Sequence, residues 1–116
     1  MQRLRNPRTG VEQGEEQIFS EFESGGTMWT GTGNRERRKP VLFSEVYAQP
    51  PAVQVTVSLW DMDTSAAIRA EIRAENITTV GFDIVFRTWS DSRIARLRAS
   101  WIAIGDLPFA DDWDVE

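Results

Sequence analysis

An all-β fold, a single antiparallel β-sandwich of six strands, is what this 116-residue sequence predicts. Three observations carry that reading. Apolar residues alternate with polar ones at period two, and clusters of Gly, Pro, Asn, Asp and Ser punctuate the runs. The one run whose Ala, Glu and Arg content would suit a helix, residues 67–77, carries no apolar stripe at i, i+3, i+4, i+7. With 41% hydrophobic residues and five tryptophans, the chain can close one core and is too short for two.

In chain order, residues 1–13 are polar and too poor in apolar side chains to hold themselves down, which predicts a flexible segment or one draped on a neighbour. Residues 17–22 predict the first strand, with Ile18 and Ser20 on one side and Phe19 and Glu21 on the other. Gly25-Gly26 marks a loop. The run Thr30-Gly31-Thr32-Gly33-Asn34 is glycine-rich but lacks the lysine ending of a phosphate loop, so it predicts a tight turn or a close backbone approach. Residues 39–47 predict a second strand, stopped by Pro50-Pro51.

Residues 52–60 show the cleanest alternation, with Val53, Val55, Val57 and Leu59 facing one way and Gln54, Thr56, Ser58 and Trp60 the other. A turn at residues 61–65 precedes the strand in 67–77. Residues 81–105 organise the rest. Phe82, Ile84 and Phe86 alternate in one strand and Leu97, Ala99, Trp101 and Ala103 in the next, so the Ser90-Asp91-Ser92 turn between them predicts a hairpin with one face buried. The domain then spans residues 14–105, and residues 106–116 form an acidic tail with Pro108, Phe109 and Trp113.

Composition excludes several chemistries. There is no cysteine and no histidine, which removes disulfides, thiol catalysis, catalytic triads and most zinc sites. Asp61 and Asp63 sit in a turn with no second acid positioned against them, and a calcium loop starting at Asp61 would need glycine at Ala66 and glutamate at Ile72. Asn76-Ile77-Thr78 is a glycosylation triplet that reads as the end of a strand. No enzyme, cofactor or metal is expected. Arg3, Arg5 and Arg8 have no apolar run behind them, so no signal peptide or membrane insertion is expected; synthesis in the cytoplasm and release by lysis or a specialised exporter would fit.

The net charge of −5 argues against a nucleic-acid footprint over the whole protein. The basic run Arg35, Arg37, Arg38 and Lys39 and the cluster Arg93, Arg96 and Arg98 read as solvated faces. A single-strand binder using Arg87, Arg96 and Trp89 is the weaker alternative.

Phe43, Pro50-Pro51, Val53, the Asp61 turn, Arg69, Gly81-Phe82, Thr88-Trp89 and Ser100-Trp101-Ile102-Ala103 stand in an order and spacing that resembles the H-type lectin family of snail agglutinins and slime-mould discoidins. The similarity covers residues 41–105, with residues 14–29 a looser match to the family's first strand. The resemblance implies a six-stranded antiparallel sandwich, a threefold trimer or dimer of trimers, and glycan sites for galactose or N-acetylgalactosamine at the subunit seams. It also implies an arginine on a central strand, a tryptophan that packs on the sugar and a loop carboxylate. By position these are Arg69 and Trp89, with Gly33, Asn34 or Glu36 in place of the loop carboxylate; Ser90 stands where the agglutinins have histidine, and Ala95 where they have tyrosine.

The chemistry fits those side chains, because a guanidinium offers a rigid fork of donors and an indole face covers the C–H patch of a pyranose. Each also has a plainer reading. Trp89 can cap the core, and Arg69, Glu71, Arg73 and Glu75 can form cross-strand ion pairs at a subunit interface. The competing function is a structural or assembly module, such as a particle spike or adhesion component, with a decayed sugar site.

Overall fold

The computed structural model describes residues 1–5 and 7–109. It is a six-stranded antiparallel sandwich. The strands are β1 (Thr9–Ser20), β2 (Arg35–Leu42), β3 (Ala52–Met62), β4 (Ala70–Glu75), β5 (Gly81–Thr88) and β6 (Ile94–Asp106), with one short helix, α1 (Thr27–Thr30), between β1 and β2. One sheet has the order β1-β6-β3 and the other β2-β5-β4.

The expected hairpin at residues 81–105 is not one. β5 pairs with β2 and β4, whereas β6 pairs with β1 and β3, so residues 89–93 carry the chain from one sheet to the other. Each strand is the centre of its own sheet, and the two face each other across the core, with the Phe82 and Trp101 rings 5.4 Å apart. Alternation fixes which face of a strand is buried but says nothing about which strand lies beside it. A central strand has neighbours on both edges, which is why six of the eight β5 residues are buried.

Other expectations shift at the strand ends. The first strand begins at Thr9 and ends at Ser20, so residues 9–13, expected to be flexible, are paired along β6 from Asp106 to Ile102. Ladder hydrogen bonds to a thirteen-residue central strand hold this segment, and the Glu12 carboxylate adds a tie by accepting from the Ser44 N–H at 3.0 Å. Before it, Arg8 donates from Nη1 to the Pro108 carbonyl and Gln2 from Nε2 to the Pro50 carbonyl. β2 is displaced toward the N-terminus of the expected strand, leaving Phe43 and Tyr47 in an irregular connection, both buried with their rings 5.0 Å apart. β4 is shorter than residues 67–77. Of the acidic tail, residues 110–116, including Trp113, lie outside the described residues.

Two of the three register shifts change which side chains of β1 and β3 reach the core. One, between Gln17 and Phe19, turns both Ile18 and Phe19 toward it. The other, between Val57 and Leu59, pairs Leu59 with Arg98 and brings Trp60 against Phe86 at 5.9 Å. A bulge adds one residue and inverts the alternation after it. Leu59 and Trp60 therefore exchange the faces that strict period two assigns them.

The core has two contiguous parts, one of Val41, Phe43, Tyr47, Phe82, Ile84, Ala99, Trp101 and Ala103, the other of Phe19, Met28, Phe86, Ile94 and Leu97. Gly14 is opposite Trp101 in the ladder, and a Cβ there would stand 2.6 Å from the indole ring. Because Trp101 is buried and cannot swing away, Gly14→Ala should destabilise the fold by about 1–3 kcal/mol. A urea titration followed by tryptophan fluorescence checks this, and a wild-type midpoint would show that the ring has room to move.

Candidate functional site

β2 starts, β4 starts and β5 ends at the same edge of one sheet. Arg35 and Ala70 both pair with Thr88, and Glu36 and Glu71 both pair with Arg87. Beyond this common row the chain leaves β5 at Trp89, a residue 39% exposed. The edge encloses a depression of about 520 Å³. β2 and the residue before it contribute Asn34, Arg35 and Glu36; β4 contributes Glu71; β5 and the residue after it contribute Arg87, Thr88 and Trp89.

The floor is electrostatically closed. Arg87 donates from Nε to Glu36 at 2.8 Å and from Nη1 to Glu75 at 2.7 Å and Glu71 at 3.4 Å. Hydrogen bonds to Glu75, and then the charges of Glu75 and Glu36, push its pKa up, despite some desolvation. Arg38 extends the ladder to Glu36, Glu75 and Asp83. The hydrogen bond from Arg87 in turn holds the Glu75 carboxyl below the usual carboxylate range, with Arg38 adding to it. A carboxyl depressed in the folded state adds stability that is present above its unfolded pKa and is lost as pH falls through the folded value. The contribution of Glu75 to stability should therefore begin to fall below about pH 4.3, and Glu75→Gln should flatten that part of the stability-against-pH curve; identical wild-type and variant curves would contradict the coupling.

The side walls are held by backbone. Gly33 has φ of 78° and Ser90 φ of 65°, both in the left-handed region. The Gly33 N–H donates to the Ser90 carbonyl at 2.8 Å. Ser92 is fully buried beneath the turn, and its Oγ accepts the Arg69 N–H at 2.9 Å.

Of the residues expected at the site, Trp89, Asn34 and Glu36 line the depression, and Gly33 and Ser90 clasp each other beside it. Arg69 does not line it. Its carbonyl accepts from Thr88 Oγ1 at 2.6 Å and from the Trp89 N–H at 3.3 Å, while its side chain is exposed. It lies immediately before β4, an edge strand, rather than on a central one. Ala95 is buried at 3% exposure in β6 and presents no polar group. The cross-strand ion pairs expected of the series 69–75 form at Glu71 and Glu75, whereas among the described residues Arg69 and Arg73 meet no carboxylate.

Of the other lining residues, Arg35, Glu71 and Thr88 were not expected at a binding site, and Arg87 was expected there only in the nucleic-acid alternative. Period two does place Arg87 on the face of Trp89, which is a usable signal; nothing distinguishes Arg35 from the solvated basic run around it. The nucleic-acid alternative needs Arg87, Arg96 and Trp89 on one surface, but Arg96 bonds Asp61 within the opposite sheet. Asp61 is thereby engaged by Arg96, and Asp63 accepts from the Ser65 N–H and from Arg93. Among the described residues no cluster of three or more Asp or Glu could hold a metal, and no helix is long and apolar enough to cross a membrane.

The H-type lectin domain matches residues 38–104. The chain belongs to the H-type lectin family. It is 53% identical over 107 residues to the "ATP synthase subunits region ORF 7" protein of Fuscovulum blasticum, covering 92% of this chain and 93% of that protein. It is 40% identical over 75 residues to a discoidin-1 chain of Dictyostelium discoideum, covering 64% of this chain and 30% of that protein. The solved structure of discoidin II from the same organism superposes with a TM-score of 0.73 at 29% identity, over 85% of this chain and 38% of that one. The chain thus spans about a third of the length of the discoidins and nearly all of the Fuscovulum protein. The family match includes the β4 and β5 sides of the depression, whereas residues 33–36 lie ahead of it.

Proposed function

We propose that this H-type lectin domain binds carbohydrate without chemically altering it, at the depression beside Trp89, and that its ligands are terminal galactose-type sugars. The observation that carries the proposal is a partly exposed indole at the wall of a depression whose other walls are hydrogen-bonding side chains, Asn34, Glu36 and Glu71. An indole face suits the apolar C–H patch of a pyranose, and amide and carboxylate oxygens suit its hydroxyls. Ser90 and the buried Ala95 leave little to read an acetamide, which favours galactose over N-acetylgalactosamine.

One such shallow site is worth roughly 4–6 kcal/mol, a millimolar to tens-of-micromolar affinity. In a trimer with sites at the seams, the exposed Arg69 would be supplied to the sugar from the rim of one protomer. Fixed repetition of the site would then raise avidity by about 10²–10⁴ on a glycan-coated surface.

A glycan array, with the oligomeric state fixed beforehand by light scattering, tests this. Binding of a terminal galactose set by a trimer is expected. A trimer silent on every glycan would favour the assembly-module reading, for which the carboxylate-saturated Arg87 already speaks.

A further inference from the structure

Arg35 is a buried cation that gives its hydrogen bonds to main-chain carbonyls. It is 9% exposed. Nε donates to Gly33 at 3.0 Å, Nη1 to Thr27 at 3.1 Å and Met28 at 3.4 Å, and Nη2 to Ser90 at 3.2 Å. Removing a guanidinium from water without an anion is costly, and here that cost is offset by carbonyl dipoles. Desolvation, and then the nearby Arg37 charge, pull its pKa down.

The segments that Arg35 ties together are those that frame the depression. Gly33 precedes Asn34, Ser90 follows Trp89, and α1 backs them both. The Ser90 carbonyl takes the Gly33 N–H as well as Arg35 Nη2, so one oxygen joins the two walls. Gly33 and Ser90 both hold left-handed backbone, which for Ser90 is strained and persists only where the surroundings impose it. The five N–H donors of a planar guanidinium are spread over three nitrogens and can reach four carbonyls on different segments, whereas the three donors of a lysine ammonium all radiate from one atom.

We propose that Arg35 is a positioning residue: it sets the separation of the Asn34 wall from the Trp89 wall, and with it which sugar the depression accepts. This rests on the carbohydrate-binding reading above. Because residues 33–35 precede the segment matched by the family, selectivity in this chain would be set by a wall that the family match does not include.

Calorimetric titration of wild type, Arg35→Lys and Gly14→Ala with galactose, N-acetylgalactosamine, glucose and fucose tests it. Arg35→Lys should raise the dissociation constant for the best sugar at least tenfold and draw the constants for the four sugars together. Gly14→Ala, destabilised in the other sheet, should keep the wild-type constants and their order. A wild type that binds beside an Arg35→Lys protein of equal affinity and selectivity overturns the positioning role alone, and so does a Gly14→Ala protein that loses selectivity to the same degree. A wild type that binds none of the four overturns the carbohydrate reading and this inference with it. Should Arg35→Lys fail to fold, the wild-type nitrogen-15 spectrum decides: the Arg35 Nε–H and Gly33 amide signals should shift together on saturation with the best sugar, and an unmoved Arg35 signal would be contrary.

Discussion

Trp89→Ala lowers affinity for the preferred sugar by about tenfold or more and leaves the melting temperature close to that of the wild type. The two halves of this expectation come from different parts of the structure. Trp89 follows the last residue of β5, is 39% exposed and belongs to neither part of the core, so its removal exposes no cavity. Its ring is the largest apolar surface at the depression, and an aromatic contact of this kind is worth about 0.5–1.5 kcal/mol beyond the area it covers; with the covered area added, a tenfold change, about 1.4 kcal/mol, is reached. Calorimetry against galactose, paired with a thermal melt, measures both halves. Unchanged affinity with an unchanged melt would move the site away from β5. A collapsed melt would mean that the indole caps the core after all.

Phe86→Ala has the opposite signature. Phe86 is fully buried at the middle of the sandwich, with Phe19 at 5.7 Å and Trp60 at 5.9 Å between ring centroids. Truncating a buried phenylalanine leaves a cavity and costs about 3–5 kcal/mol, against roughly 5–15 kcal/mol of total stability for a domain of this kind. The melting temperature should fall by about 15 °C or more. Because Arg87 and Thr88 follow on the same strand, sugar binding should weaken as the strand loosens. A loss under about 1 kcal/mol would show that Trp60, half in solvent, closes over the gap.

The strand content was legible because burial on one face imposes period two, and the Val53, Val55, Val57 series shows it without ambiguity. Legibility failed wherever the chain inserts a residue. The bulges at residues 17–19 and 57–59 invert the faces beyond them, and nothing in Ser58 announces that Trp60 rather than Leu59 will turn inward. Edge pairing was equally invisible in β1, whose residues 9–13 look too polar to be ordered and are held by the β6 ladder instead.

The site divides the same way. Trp89 was legible as an aromatic at the end of a strand, and the glycine-rich run 30–34 as a tight turn or a close backbone approach; Gly33 takes left-handed backbone there and donates to the Ser90 carbonyl. Arg69 was placed by resemblance, and the fold sets its backbone beside Trp89 while its side chain stays outside the depression. Arg35 was unreadable, because an arginine at the head of a charged run in a β strand looks the same whether it points to water or to four carbonyls.

By itself, then, the sequence determined the fold class, the exclusion of histidine and cysteine chemistry, and the aromatic on which binding is proposed to turn. These follow from residue type and from short-range periodicity, which act over a few residues. The tertiary structure decided that β5 and β6 are central strands of opposite sheets rather than partners, and that the starts of β2 and β4 meet the end of β5. The β2–β5 and β1–β6 pairings depend on which edges find each other across 39 to 97 residues of chain, and main-chain hydrogen bonds, being the same at every residue, leave no mark in the sequence of the partner they choose.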